Sequence, residues 1–179
     1  SSLAEKKHQP VIIGYVGGFR GNIVNSDSIT ANKLSHINYA FVDIKDNRAW
    51  LHNEATDTIN FRKLNGLKKI NPDLKILISI GGWTWSKHFS DAILTDTSRE
   101  NFAKSAVDIV SDYNLDGVDI DWEYPGMFGD SNVYCPEDRK NFTLMFKDLR
   151  EQLDNLRKRT GKKYFVTTAI GASREFLQH

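Results

Sequence analysis

The chain has 179 residues, with 24 Lys+Arg against 23 Asp+Glu for a formal net charge of +1, and 40% hydrophobic residues. This balance fits one packed domain over residues 1–179 and excludes a disordered chain, and the lack of a basic surplus argues against a nucleic-acid or anionic-membrane partner. No apolar run approaches the roughly 20 residues that span a bilayer, and a single cysteine, Cys135, excludes an intrachain disulfide and a thiolate zinc cluster.

Ser1 to Pro10 are polar and lack both an initiator Met and an apolar leader. The chain is therefore expected to start behind a removed leader or inside a longer protein, which leaves export open. Val11 to Val16 reads as a first strand, and a short helical pattern follows from Ser28 to Leu34. His36 to Asp43 is the second strand, and Thr58 to Ile70 is a helix with Asp57 as its expected N-cap. Asn71-Pro72-Asp73 stops that helix before a third strand, Lys75 to Gly81. A helix from Ser98 to Tyr113, capped by Thr97, leads to the fourth strand, Gly117 to Trp122. The clearest amphipathic helix is Glu137 to Lys158, with Phe142, Met145, Phe146, Leu149, Leu153 and Leu156 on one face. Tyr164 to Ile170 is the fifth strand.

Strands and helices thus alternate, and the strands are apolar along most of their length, which predicts an α/β fold with a parallel sheet covered by helices. A doubly wound dinucleotide fold and a barrel compete. Gly14-Tyr15-Val16-Gly17-Gly18 lacks the spacing of a phosphate-binding glycine turn. Asp119, Asp121 and Glu123, in contrast, approach the C-terminal end of a strand, the face where barrel active sites lie. Five strands at an average repeat of roughly 38 residues imply about 300 residues for eight. The expected fold is the first five βα strands of a TIM (β/α)8 barrel, with the C-terminal part of the barrel absent from this chain.

The segment Asp116-Gly117-Val118-Asp119-Ile120-Asp121-Trp122-Glu123 has a period of two. In a strand its acids form a column about 6.6 Å apart, while Val118, Ile120 and Trp122 take the opposite face beneath the helices. Ionised together in a low-dielectric interior, the three carboxylates would repel, so a shared proton and one raised pKa are expected. Glu123, outermost, is placed to act as general acid, with Asp121 and Asp119 as inner partners. Asp116 precedes the column and is expected to shape the strand entry. A solvated acidic edge would not alternate with Val, Ile and Trp, and in-line acids without clustered His or Asn ligands make a poor metal cage. No metal is expected.

These residues resemble family-18 glycoside hydrolases, the chitinases, through the D-G-x-D-x-D-W-E pattern at Asp116 to Glu123. Ser79-Ile80-Gly81-Gly82-Trp83 is similar to that family's S-x-G-G motif, and Gly14-Tyr15, Asn38-Tyr39-Ala40-Phe41 and Tyr124-Pro125 also fit. The resemblance covers essentially the whole chain. It implies a chitinase that hydrolyses β-1,4-linked N-acetylglucosamine polymers with retention, the substrate's own acetamido group acting as nucleophile and no cofactor being needed. Glu123 would be the general acid and base, Asp121 would hold the acetamido group, and Asp119 would hold Asp121 or take over its proton. Tyr15 and Ser79 sit where the family supports the inner acids. Phe41, Trp83 and Trp85 offer flat faces for sugar rings or serve as core, Tyr124 lines the cleft, and Gly81 and Gly82 permit close backbone approach. The resemblance also places a Met-x-Tyr-Asp segment on a sixth strand and a Trp on an eighth, both beyond His179, and implies an extracellular or cell-envelope location.

Two other readings share these residues. A non-hydrolytic lectin for chito-oligosaccharides is one, although family lectins usually lose an acid of the ladder and Asp119, Asp121 and Glu123 are all present. An endo-β-N-acetylglucosaminidase acting on N-glycans is the other; the Gly-Gly-Trp and Trp-Glu-Tyr-Pro aromatics resemble the chitinases more closely. His8, His36, His52, His88 and His179 show no ligand spacing and read as surface or packing residues. Asn141-Phe142-Thr143 matches a glycosylation sequon inside a predicted helix. Arg157-Lys158-Arg159 reads as a solvated helix end.

Overall fold

A computed structural model describes residues 10–169. Five strands run parallel in chain order: β1 (Ile13–Gly17), β2 (His36–Lys45), β4 (Lys75–Gly81), β5 (Gly117–Trp122) and β6 (Phe165–Thr168). A short strand, β3 (Arg48–Trp50), turns back antiparallel on the end of β2. The helices are α1 (Glu54–Gly66), α2 (Gly82–Trp85), α3 (Phe89–Ala92), α4 (Asp96–Asp112) and α5 (Asp138–Thr160). Each parallel strand pairs with the parallel strand before it, and among the described residues the order never reverses and shows no switch point of the doubly wound kind. The arrangement is that of consecutive βα units of a (β/α)8 barrel.

The outward faces of the strands make the core. Tyr39, Ile78, Val118 and Ile120 are buried against Phe61 and Leu64 of α1, Phe102 and Val110 of α4, and Met145, Leu149 and Leu153 of α5. The face predicted for the last helix is the one that packs, with Phe142 and Phe146 partly buried at its edge. Each fully buried aliphatic side chain of this kind contributes about 1.5–3 kcal/mol. The helix ends at Gly161, whose left-handed backbone (φ 73°) lets its N–H reach the Arg157 carbonyl at 2.8 Å.

Local details depart from the sequence reading. Ser28 to Leu34 is not a helix. Two single turns, Ser26–Ser28 and Ala31–Lys33, are each closed by a bond to the residue three before, because a window this short cannot repay helix nucleation. Helix α1 starts at Glu54, behind Asn53. Asp57 lies within it and turns inward, accepting from the Tyr39 hydroxyl at 2.5 Å and from the Asn53 N–H at 3.2 Å. In α4 the cap is Thr95, reciprocally bonded with Ser98, rather than Thr97. The β2–β3 hairpin turns at Asp46 and Asn47, both at positive φ (51° and 61°), as a tight two-residue turn requires. Ile170, the end of the fifth predicted strand, and His8 and His179 lie outside the described residues. The amide of Asn141 is buried and accepts from Arg99 Nη1 at 3.1 Å, so the acceptor side chain of the sequon is turned into the interior while Thr143 stays exposed.

Candidate active site

The period-two reading of β5 holds in three dimensions. Val118, Ile120 and Trp122 enter the core, with Trp122 stacked on Phe89 at 5.0 Å between centroids. On the other face Asp119 is buried and both its oxygens are engaged. Oδ2 accepts from Ser79 Oγ on β4 at 2.7 Å, and Oδ1 accepts from Thr167 Oγ1 on β6 at 2.7 Å. The register explains the pair, since Ser79, Asp119 and Thr167 occupy one row across three strands. Ser79 was expected from the sequence; Thr167 was not, because nothing local to Thr167 marks it.

Asp121, one step further out, is only partly buried and faces Gly81 in the register. Its pKa is pushed up to about 6, first by burial and then by the charges of Glu123 and Asp119. A carboxyl raised by burial and by its neighbours' charges thus sits in the middle of the column. Asp119 and Asp121 also help to raise the Tyr15 phenol, behind burial as the larger cause and against the hydrogen bonding of Asn38. Tyr15 itself sits on β1 opposite Asn38, half-exposed.

Glu123 follows the end of β5 and is joined to Tyr124 by a cis peptide bond. Its N–H donates to Ser86 Oγ at 3.0 Å. The same hydroxyl lies 2.6 Å from the Gly82 carbonyl and 3.3 Å from the Asp121 carbonyl, so one buried serine joins the ends of β4 and β5 beneath the acid. Ser86 carries no motif signature and escapes a sequence reading. Burial and then the Glu123 charge raise the Tyr124 phenol.

Beside the ladder lies a cleft of about 460 Å³. Phe41, Trp83 and Trp85 line it, together with Gly81, His52 and three residues the sequence did not mark, Arg20, Asn53 and Thr84. Phe41 is the extra residue of a bulge where β2 pairs with β4, preceded by a cis peptide, and its ring lies over Gly82. A Cβ on Gly82 would come within 2.8 Å of that ring, and Gly82 sits at φ +76°. Trp83 is half-exposed and meets Tyr124 edge-on at 6.3 Å. Trp85 stacks on His52 at 5.1 Å, and the imidazole reaches Asp43 at 3.6 Å. His52 is thus a packing residue, as one of the two sequence readings had it, and it lies in the wall of the cleft. Among the described residues no cluster of His, Cys, Asp and Glu could hold a metal ion, and no helix is long and apolar enough to cross a membrane.

A row of strand carboxylates at the C-terminal edge of a parallel βα sheet, beside an aromatic cleft, is the arrangement of the active-site face of a (β/α)8 barrel. The model of the glycosyl hydrolases family 18 matches residues 11–178, and the chain belongs to that family. It is similar to Chitinase A1 of Niallia circulans, 39% identical over 96% of this chain and 32% of that protein. It is also similar to mouse Chitotriosidase-1, 34% identical over 79% of this chain and 30% of that protein. Among solved structures, chitinase ChiW, a cell-surface-expressed multi-modular enzyme from a Paenibacillus species, superposes with a TM-score of 0.84 at 36% identity, covering 94% of this chain and 22% of that one. A family-18 N-acetylglucosaminidase from Paenibacillus barengoltzii superposes with a TM-score of 0.81 at 38% identity, over 93% of this chain and 47% of that one. The chain spans about a third of the length of the curated relatives it matches.

Proposed function

We propose that the protein carrying this chain is a chitinase that cleaves β-1,4 links between N-acetylglucosamine units by a retaining, substrate-assisted route. The observation that carries this reading is the column Asp119–Asp121–Glu123, with its innermost member tied by two hydroxyls and its middle member held partly protonated near neutral pH. Glu123 gives its proton to the glycosidic oxygen as the bond to the anomeric carbon breaks, and the acetamido oxygen closes on that carbon from the other face. Asp121 accepts the acetamido N–H and offsets the positive charge of the oxazolinium, with Asp119 holding Asp121 or taking over its proton. The deprotonated Glu123 then takes a proton from water, which opens the ring with net retention. Phe41, Trp83, Trp85 and Tyr124 supply the apolar faces on which sugar rings rest. Chitin or chito-oligosaccharide is the partner this assigns, at the cell envelope or outside the cell.

The test is mass analysis of products from N-acetylglucosamine tetramer, using the protein at its natural length. Wild type should release dimers or monomers, and Glu123→Gln should bind the tetramer while turnover falls by about 100- to 10,000-fold. Unchanged turnover in Glu123→Gln would remove the acid assignment. Tight binding without cleavage by wild type would make the protein a lectin.

A further inference from the structure

The segment that leaves Glu123 runs through residues 124–137 to the start of α5, where Asp138 is completely buried. Four donors converge on its carboxylate. Oδ2 accepts from the Gly126 N–H at 3.1 Å and from the Cys135 N–H at 2.9 Å. Oδ1 accepts from Ser90 Oγ at 2.6 Å and lies 3.1 Å from Cys135 Sγ. No Lys, Arg or His pairs with it among the described residues. The donors come from α3 and from both ends of the loop, one of them a glycine three positions after Glu123.

This exceeds what the end of a helix needs, and it closes a frame around the acid. On one side the Glu123 N–H is held by Ser86. On the other, the Glu123 carbonyl packs so closely on Gly129 that a Cβ there would come within 2.5 Å of it. Asn132 locks that turn, accepting from the Gly129 N–H at 2.5 Å and donating to the Met127 carbonyl at 2.9 Å. Between these points the Met127 N–H closes a turn onto the Tyr124 carbonyl at 3.3 Å, and Asp138 holds the Gly126 N–H inside that turn.

We propose that Asp138 is a positioning residue for Glu123, its buried carboxylate clamping Gly126 and Cys135 so that the acid leaves β5 at one fixed angle. The proposal rests on the hydrolase reading for its catalytic consequence, though the clamp can be observed without turnover. It requires acceptor geometry rather than negative charge. An asparagine there can turn its oxygen to the Gly126 and Cys135 N–H groups and its NH2 to Ser90 Oγ and Cys135 Sγ, both of which can accept. Alanine can do neither.

In the natural-length protein, Asp138→Ala should lower kcat on the tetramer by about 10- to 100-fold, the cost of a misplaced catalytic group, with KM changed far less. The ionisation near pH 6 should move to lower pH, because a Glu123 free to swing away raises Asp121 less. Asp138→Asn should keep kcat within about 3-fold and the native pH profile, since its amide restores the acceptors. A wild-type kcat and profile in Asp138→Ala would overturn the proposal, as would Asp138→Asn being as impaired as alanine. Should Asp138→Ala not fold, amide exchange decides. The Gly126 and Cys135 amides should exchange slowly in wild type and in Asp138→Asn, and rapid exchange in wild type would refute the clamp. A wild type without turnover but with both amides slow would sink the hydrolase reading and leave the clamp standing.

Discussion

Asp121 is a carboxyl whose proton is held first by burial and then by the charges of Glu123 and Asp119. Its pKa in the fold, about 6, lies above the ordinary 3.8, so burial and the flanking acids favour the protonated form. That contribution to stability is present below the ordinary value and is lost as pH rises through about 6. Asp121→Asn, which is neutral at every pH, should therefore be more stable than the parent by about 1–2 kcal/mol near neutral or alkaline pH, the full shift being reduced by solvent screening of a partly exposed carboxyl, and by nothing in acid. Urea denaturation at the two pH extremes reads this directly, and an equal difference at both would contradict the coupling. The same substitution should lower turnover, so stability and activity diverge at one atom, as expected where function imposes strain.

At the scale of elements, the turn from β4 into α2 positions the aromatic cleft. Gly82→Ala would place a methyl group against the Phe41 ring at a backbone angle that L residues rarely adopt. A loss of about 1–3 kcal/mol is expected, together with a higher KM for the tetramer as Phe41 and Trp83 are displaced. Thermal melts and tetramer kinetics check both. This turn was legible in the sequence because two adjacent glycines before an aromatic are a local signal. The ladder on β5 was legible for the same reason, its alternation being written in consecutive residues. Ser86, Thr167 and Asp138 were not legible, since each is defined by a partner 37, 48 or 12 residues away. Asp57 shows the converse: a good capping residue by type was claimed instead by Tyr39, a tertiary partner. The β2–β3 hairpin was missed because its return strand is only three residues long.

Across the whole molecule, the two ends of β5 carry acids of opposite use. At the entry, buried Asp116 accepts from the Ile76 N–H at 2.8 Å and from Lys68 Nζ at 2.7 Å, while Lys162 Nζ lies 3.1 Å from its other oxygen. These contacts join β4, the end of α1 and the approach to β6, as the sequence reading expected of a residue that shapes the strand entry. Burial lowers the Lys68 pKa despite that pairing, so the cation depends on its partner. Asp116→Ala should cost about 3–5 kcal/mol by urea denaturation, because it leaves a half-buried ammonium and a buried N–H unpaired. A loss below about 1 kcal/mol would mean that water replaces the carboxylate.

The clasp of Asp119 between Ser79 and Thr167 also has a meaning for assembly. Sliding β6 by two residues keeps every side chain on its proper face, so hydrophobic patterning alone does not forbid it. Such a slip would set Phe165 or Ala169 beside Asp119 in place of Thr167, leaving an oxygen of a buried carboxyl without its donor. The inner acid thus proofreads the sheet: only the alignment that satisfies its two oxygens is also the one that lines up the catalytic edge.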